Sequence, residues 1–248
     1  MVNGMDSFIE KFRDYSDCYT VIGGAAGDIL MSEAGLGFRA TKDIDMILIM
    51  EARYQEFAKV FWEYIKEGGY KCGWKNSDRV HFYRFTEPRS GYPVMIELFS
   101  REPDYVKQVP EGIVPLHIDD DISSLSAIML NDDYYQFMLA GRKTVNEISI
   151  LAAEYLIPFK MYAWLDLKDR KAKGEHVNER DLKKHKYDVF RLLQIADRSK
   201  QVSITGLVKE KTERFLTEIA EEDIPFEQLN LQLDMQMALE IITDLYLK

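Results

Sequence analysis

The chain has 248 residues, is 46% apolar and 30% charged, and carries a formal net charge of −10. That composition suits a soluble globular protein of one or two domains, and the acid excess argues against broad, non-specific binding to nucleic acid. No apolar run approaches the roughly 18 residues that span a bilayer, the polar stretch Met1 to Asp14 is not a signal peptide, and Cys18 and Cys72 are too few for a disulfide framework and too far apart for a zinc motif. A cytoplasmic setting with no membrane partner is expected, with both cysteines acting as small buried hydrophobes.

In chain order, Phe8 to Tyr15 reads as a short helix leading into a strand at Tyr19 to Ile22. Gly23-Gly24 ends that strand, and Ala25 to Glu33 reads as a helix that Gly35-Leu36-Gly37 breaks. Asp43 to Met50 is a strand apolar enough to be central in a sheet. Tyr54 to Glu67 has helical periodicity, with Phe57, Val60, Phe61, Tyr64 and Ile65 on one side, and Gly68-Gly69 stops it. Strands follow at Arg79 to Phe85 and Val94 to Phe99, joined by a hairpin loop rich in Pro and Gly. Gly112 to Ile118 is expected to be extended, Leu125 to Leu130 to be a strand, and Asp133 to Leu139 to be a short helix ended by Gly141.

The pattern changes from Leu151 onward. Ala152 to Lys171, interrupted by Pro158, reads as a long helix, and Arg180 to Ala196, Thr205 to Ala220 and Leu229 to Leu247 read as three more. Strands and helices first, helices alone afterwards, predict an α/β (α+β) core over residues 1–150 and a helical domain over 151–248.

Asp43 and Asp45 stand two apart at the start of a strand, so both carboxylates point to one face. Side by side they repel unless something neutralises them. A divalent cation does so, and oxygen-only ligands favour Mg²⁺ or Mn²⁺. Gly23-Gly24 sits between a strand and a helix, where bare backbone amides can hold phosphate. The spacing fits neither a Walker loop nor a dinucleotide fingerprint. Glu97 is a lone acid within Val94 to Phe99, and a charge there needs a partner or a metal. If its strand neighbours Asp43 and Asp45, it completes a three-carboxylate site. Asp28 reads as a surface carboxylate. Lys160 to Lys200 is locally basic, with Lys168, Arg170, Lys171, Lys173, Arg180, Lys183, Lys184, Lys186, Arg191 and Arg198.

Gly-Gly, a helix, Asp-x-Asp on a strand and a later acid on another strand resemble the nucleotidyltransferase fold of polymerase-beta-like enzymes. Gly23-Gly24 followed by Arg39-x-Thr41-x-Asp43-Ile44-Asp45 is similar to the AbiEii-type nucleotidyltransferases, the toxin side of many bacterial toxin–antitoxin and phage-defence pairs. Those proteins carry a later Glu-Tyr-Leu … Lys helix, which Glu154 to Lys160 matches. The resemblance covers about residues 15–195 and departs at Glu97, where Asp is usual. It implies a mixed sheet with flanking helices, a helical C-terminal domain, and transfer of a nucleoside monophosphate from a nucleoside triphosphate to a hydroxyl of RNA or tRNA, a protein or a small molecule. Asp43, Asp45 and Glu97 would be catalytic and would ligate Mg²⁺ or Mn²⁺. Gly23, Gly24, Arg39, Thr41, Lys42 and Lys160 would bind the nucleotide, with Lys160 reaching the triphosphate from the helical half. A cognate antitoxin would be a partner. A catalytically inactive nucleotide- or partner-binding module of the same fold is the alternative.

Overall fold

The computed structural model describes residues 2–49, 53–76, 81–100, 128 and 131–248. The chain divides into two compact units. One takes Met1–Leu130 and Arg142–Leu151, the other Asn131–Gly141 and Ala152–Lys248. The sequence suggested one cut near residue 150; instead a helix before it joins the second unit and the hairpin that follows joins the first.

The first unit is built on a seven-stranded mixed sheet with strand order β3-β4-β5-β2-β1-β7-β6. Its strands are β1 (Tyr19–Ile22), β2 (Asp43–Leu48), β3 (Lys71–Asn76), β4 (His81–Thr86), β5 (Met95–Ser100), β6 (Arg142–Val145) and β7 (Ile148–Leu151). Strand β2 lies between β1, antiparallel, and β5, parallel. Helices α1 (Met5–Phe12), α2 (Gly23–Glu33) and α3 (Tyr54–Gly68) belong to the same unit.

Cross-strand partners share a face, so the register sorts the sheet into two surfaces. Tyr19, Val21, Met46, Leu48, Ile96, Leu98, Tyr83 and Phe85 fall on one, and all are buried. Phe8 and Phe12 of α1 and Phe57, Phe61 and Tyr64 of α3 cover it. Tyr19 stacks on Phe57 with ring centroids 5.7 Å apart, and Phe61 meets Phe85 edge-on at 5.4 Å. This aromatic layer is the core of the unit, and its apolar spacing in α1 and α3 explains why both segments are helical. The opposite surface carries Thr20, Ile22, Asp43, Asp45, Ile47, Glu97 and Arg84.

Strands β3, β6 and β7 extend the sheet beyond the strands expected from the sequence. The expected extended piece at 112–118 lies outside the described residues. So does the strand expected at 125–130, except for Ile128, which is helical and buried rather than extended.

The second unit contains α4 (Asp132–Ala140), α5 (Ala153–Ala172), α6 (Glu179–Leu193), α7 (Gly206–Ile219) and α8 (Met235–Tyr246). Asn131 caps α4 by accepting from the backbone N–H groups of Asp133 and Tyr134. The Asp133 carboxylate in turn accepts from Leu207 N–H at 2.8 Å, at the start of α7. Pro158 lies inside α5 without ending it. Proline has no N–H for the Glu154 carbonyl four residues back, and the Tyr246 hydroxyl donates to that carbonyl instead, at 2.5 Å. Among the described residues no helix is long and apolar enough to cross a membrane.

Candidate active site

Gly23 makes the turn from β1 into α2. Its φ of +68° lies in the left-handed region, where a β-carbon is disfavoured. A β-carbon there would also overlap the Asp45 carboxylate, with Oδ2 its nearest atom. A β-carbon on Gly24 would stand 2.6 Å from Thr41 Oγ1 and 3.1 Å from an Arg39 guanidinium nitrogen. One on Gly27 would stand 2.7 Å from the Phe38 ring. The segment from Phe38 to Asp45 therefore lies directly on the first turns of α2, and three glycines on that helix make the approach possible.

The helix entered at Gly23 has Ile22 as its N-cap and no side-chain cap. Its first backbone N–H groups are therefore left for some other acceptor, and the partial positive charge of a helix start favours an anion. Asp45 stands beside that start. The resemblance to a phosphate-holding turn thus rests on an observed strand–glycine–helix corner.

The carboxylates meet through the sheet. Asp45 pairs in register with Ile22 of β1 on one side and Glu97 of β5 on the other, and Glu97 pairs with Arg84 of β4. Ile22, Asp45, Glu97 and Arg84 form one row across four strands on one face. Asp43, two residues earlier, shares the face at the strand's start, opposite Met95. Asp43 and Asp45 are partly exposed, whereas Ile44, Met46 and Leu48 behind them are buried.

Glu97 is 7% exposed. Arg84 donates to its Oε1 from Nε at 2.8 Å and from Nη2 at 2.7 Å. Burial pushes the Glu97 carboxyl up to about 8, the neighbouring Asp45 charge and a hydrogen bond with Asp45 push the same way, and Arg84 pulls it back only in part. A buried carboxyl beside another acid gives up its proton less readily than a solvated one.

Arg39 and Thr41 are brought to the site through Gly24, with the Arg39 guanidinium also 5.3 Å from the Phe38 ring centroid. Lys42 is exposed beside them. Lys160 belongs to the second unit, where it is 3% exposed and its Nζ lies 3.1 Å from Asp188 Oδ2. Asp188 is fully buried and also pairs with Arg191 at 3.3 Å. Lys160, expected to reach a triphosphate, thus stands in a buried ion pair of the helical unit. Asp28, expected at the surface, is buried at 9% exposure within α2.

The basic stretch resolves into ion pairs. Lys168 meets Glu218 and Glu222, Arg170 meets Glu175, Lys171 meets Glu179, Lys184 meets Asp181, and Lys186 meets Glu222. Most of the positive charge counted in the sequence is therefore neutralised locally.

Sequence reasoning missed Gly27, Phe38 and Arg84. Gly27 was legible as the third glycine of a Gly-Gly-x-x-Gly run on one helix face. Arg84 had only the weak signal of a charge inside an aromatic strand.

The chemistry of the donors suits a hard cation: Asp43, Asp45 and Glu97 offer oxygen alone. Among the described residues no three His, Cys, Asp or Glu side chains gather into a ready metal cluster. Mg²⁺ is commonly held by one or two carboxylates together with substrate phosphates, and Asp43 and Asp45 at the strand's start fit that demand.

No family model and no curated protein matches the chain. Among solved structures it is similar to an antigenic nucleotidyltransferase-like protein from Paracoccidioides brasiliensis, with 13% identity, 94% of this chain and 96% of that chain covered, and a TM-score of 0.46. It is similar also to JHP933 from Helicobacter pylori, with 14% identity, 97% and 87% covered, and a TM-score of 0.38. Both likenesses are loose, and the functional reading rests on the residues themselves.

Proposed function

We propose that this chain is a nucleotidyltransferase that moves a nucleoside monophosphate from a nucleoside triphosphate to a hydroxyl acceptor. The observation that carries the reading is the contact of three sequence-distant features on one sheet face: the Gly23-Gly24 helix start, Asp45 against Gly23, and Glu97 in register with Asp45. A phosphate-holding backbone beside paired carboxylates is what a metal–triphosphate complex needs.

Asp43 and Asp45 would hold the cation. When bound, Mg²⁺ or Mn²⁺ supplies charge neutralisation for the triphosphate and its leaving group. The α2 amides after Gly23 bind phosphate oxygens. Arg39, fixed over Gly24 with Thr41, supplies a second positive contact to the phosphates, and exposed Lys42 adds charge nearby. Glu97, next to Asp45 in the row, would accept the proton of the acceptor hydroxyl.

Because most cations of Lys160 to Lys200 are already paired, RNA or tRNA is not favoured over a protein or a small molecule as acceptor. The AbiEii resemblance extends the proposal to a toxin of a toxin–antitoxin or phage-defence pair. Growth arrest on expression, relieved by the product of a neighbouring gene, tests that part.

The reading is tested with nucleotides radiolabelled at the α-phosphate. The wild type is expected to transfer label to an acceptor in a cell extract, and Asp43→Ala and Asp45→Ala to transfer none. Equal labelling by both variants would sink the carboxylate assignment. Arg84 on Glu97 favours a second reading, a module that binds triphosphate without turning it over. Calorimetric titration of each nucleoside triphosphate with Mg²⁺, followed by mass analysis of the products, separates the two.

A further inference from the structure

Two-cation nucleotidyl transfer needs a carboxylate that shares the second cation, and Glu97 stands where that carboxylate would be. Its surroundings differ from those of Asp43 and Asp45. The two aspartates are partly exposed at the start of β2, while Glu97 is buried in the row and already faces a fixed positive group. Arg84 reaches it from the next strand, in register, with two nitrogens on one carboxylate oxygen at 2.7 and 2.8 Å. The guanidinium is planar, permanently charged and well suited to such a fork. It is held from behind, since Tyr83 and Phe85 on either side of it are buried in the aromatic layer. A divalent cation at Glu97 would have to displace Arg84 or sit beside its charge.

We infer that Arg84 takes the place of the second cation, so that the site binds a single divalent cation through Asp43 and Asp45. Arg84 is then a positioning residue: it neutralises Glu97 and holds its carboxyl toward Asp45. The inference rests on the proposed nucleotidyltransferase site and narrows it to a one-cation variant.

The test counts bound Mn²⁺ by electron paramagnetic resonance on the full chain, with Mn²⁺ alone as the probe and Asp45→Asn as the blank. Wild type is expected to bind one Mn²⁺ above the blank. Arg84→Met, which leaves Glu97 without its cation, is expected to bind two, and Arg84→Lys, which keeps a charge there, to bind one. Two Mn²⁺ in the wild type, or one in both wild type and Arg84→Met, overturns the inference and leaves the metal site intact. No Mn²⁺ above the blank in any of the three overturns the inference together with the site it rests on. Two Mn²⁺ in the wild type overturns the inference even where Arg84→Met fails to fold, and Arg84→Gln then takes its place in the count.

Discussion

Replacing Gly23 with alanine should damage the site through two separable costs. The first is backbone: a φ of +68° penalises a β-carbon by roughly 1 kcal/mol. The second is the Asp45 carboxylate, which occupies the space the new methyl group needs. Moving a packed side chain aside costs about 1–3 kcal/mol, so Gly23→Ala should lose about 2–4 kcal/mol in all. Removing the obstruction isolates the two costs. Against an Asp45→Ala background, Gly23→Ala should cost only the backbone part, roughly 1 kcal/mol, giving a coupling of at least about 1 kcal/mol between the positions. Chemical denaturation of the four proteins measures this directly. Strict additivity of the two substitutions would refute the contact between Gly23 and Asp45. Gly24→Ala lacks the left-handed backbone and should be milder, and Thr41→Ala should relieve it.

Glu97→Gln should flatten the dependence of stability on pH in the metal-free protein. The folded carboxyl is raised to about 8 from the ordinary glutamate range. A raised group contributes its stability fully below the unfolded value and loses it as pH climbs through the folded one. The wild type should therefore weaken as pH climbs from about 5 through about 8, and the amide variant should not; parallel melting curves for the two would contradict this. Tyr246→Phe should cost about 1–3 kcal/mol, because the Glu154 carbonyl facing Pro158 loses its donor. Pro158→Ala in that background should recover part of the loss in denaturant titrations. Lys160→Met should cost about 3–5 kcal/mol by leaving the buried Asp188 with one fewer partner. Adding Asp188→Leu should restore stability, which a lysine serving only to bind nucleotide would not allow.

The parts of the site legible in the sequence were local. Gly23-Gly24 between an apolar run and a helix, and Asp43 and Asp45 at alternate positions of a strand, carry their geometry in a few adjacent residues. Glu97 was visible as a charge within an apolar run, and the parallel pairing of β2 with β5 then put it beside Asp45. Arg84 was not visible, because its role depends on a register between strands that only the folded sheet defines. The ion pair of Lys160 was hidden for a similar reason: its partner Asp188 lies a helix away, so the sequence offered only a lysine that could reach a triphosphate. The basic stretch likewise looked like a surface until its acids arrived from α7 and from the ends of α5 and α6. The hairpin of β6 and β7 escaped because its two-residue turn is Asn146-Glu147, with φ of 48° and 65°. Glycine normally marks the second position of such a turn, and a glutamate there hides it. Strand β3 has only Cys72 and Trp74 as apolar positions, alternating with Lys71, Gly73 and Lys75, a short signal that gains meaning from its pairing with β4.

If the Gly23, Asp43, Asp45 and Glu97 face performs nucleotidyl transfer, pyrophosphate leaves as the acceptor hydroxyl attacks the α-phosphate. The most direct measurement is pyrophosphate release from each of the four nucleoside triphosphates with Mg²⁺ and cell extract as the source of acceptor, comparing the purified wild type with Asp45→Asn. The wild type is expected to release pyrophosphate with at least one nucleotide, the variant to lose that release, and both to stay folded. Release that survives in Asp45→Asn, or its absence from the wild type with all four nucleotides, would contradict nucleotidyl transfer at this face.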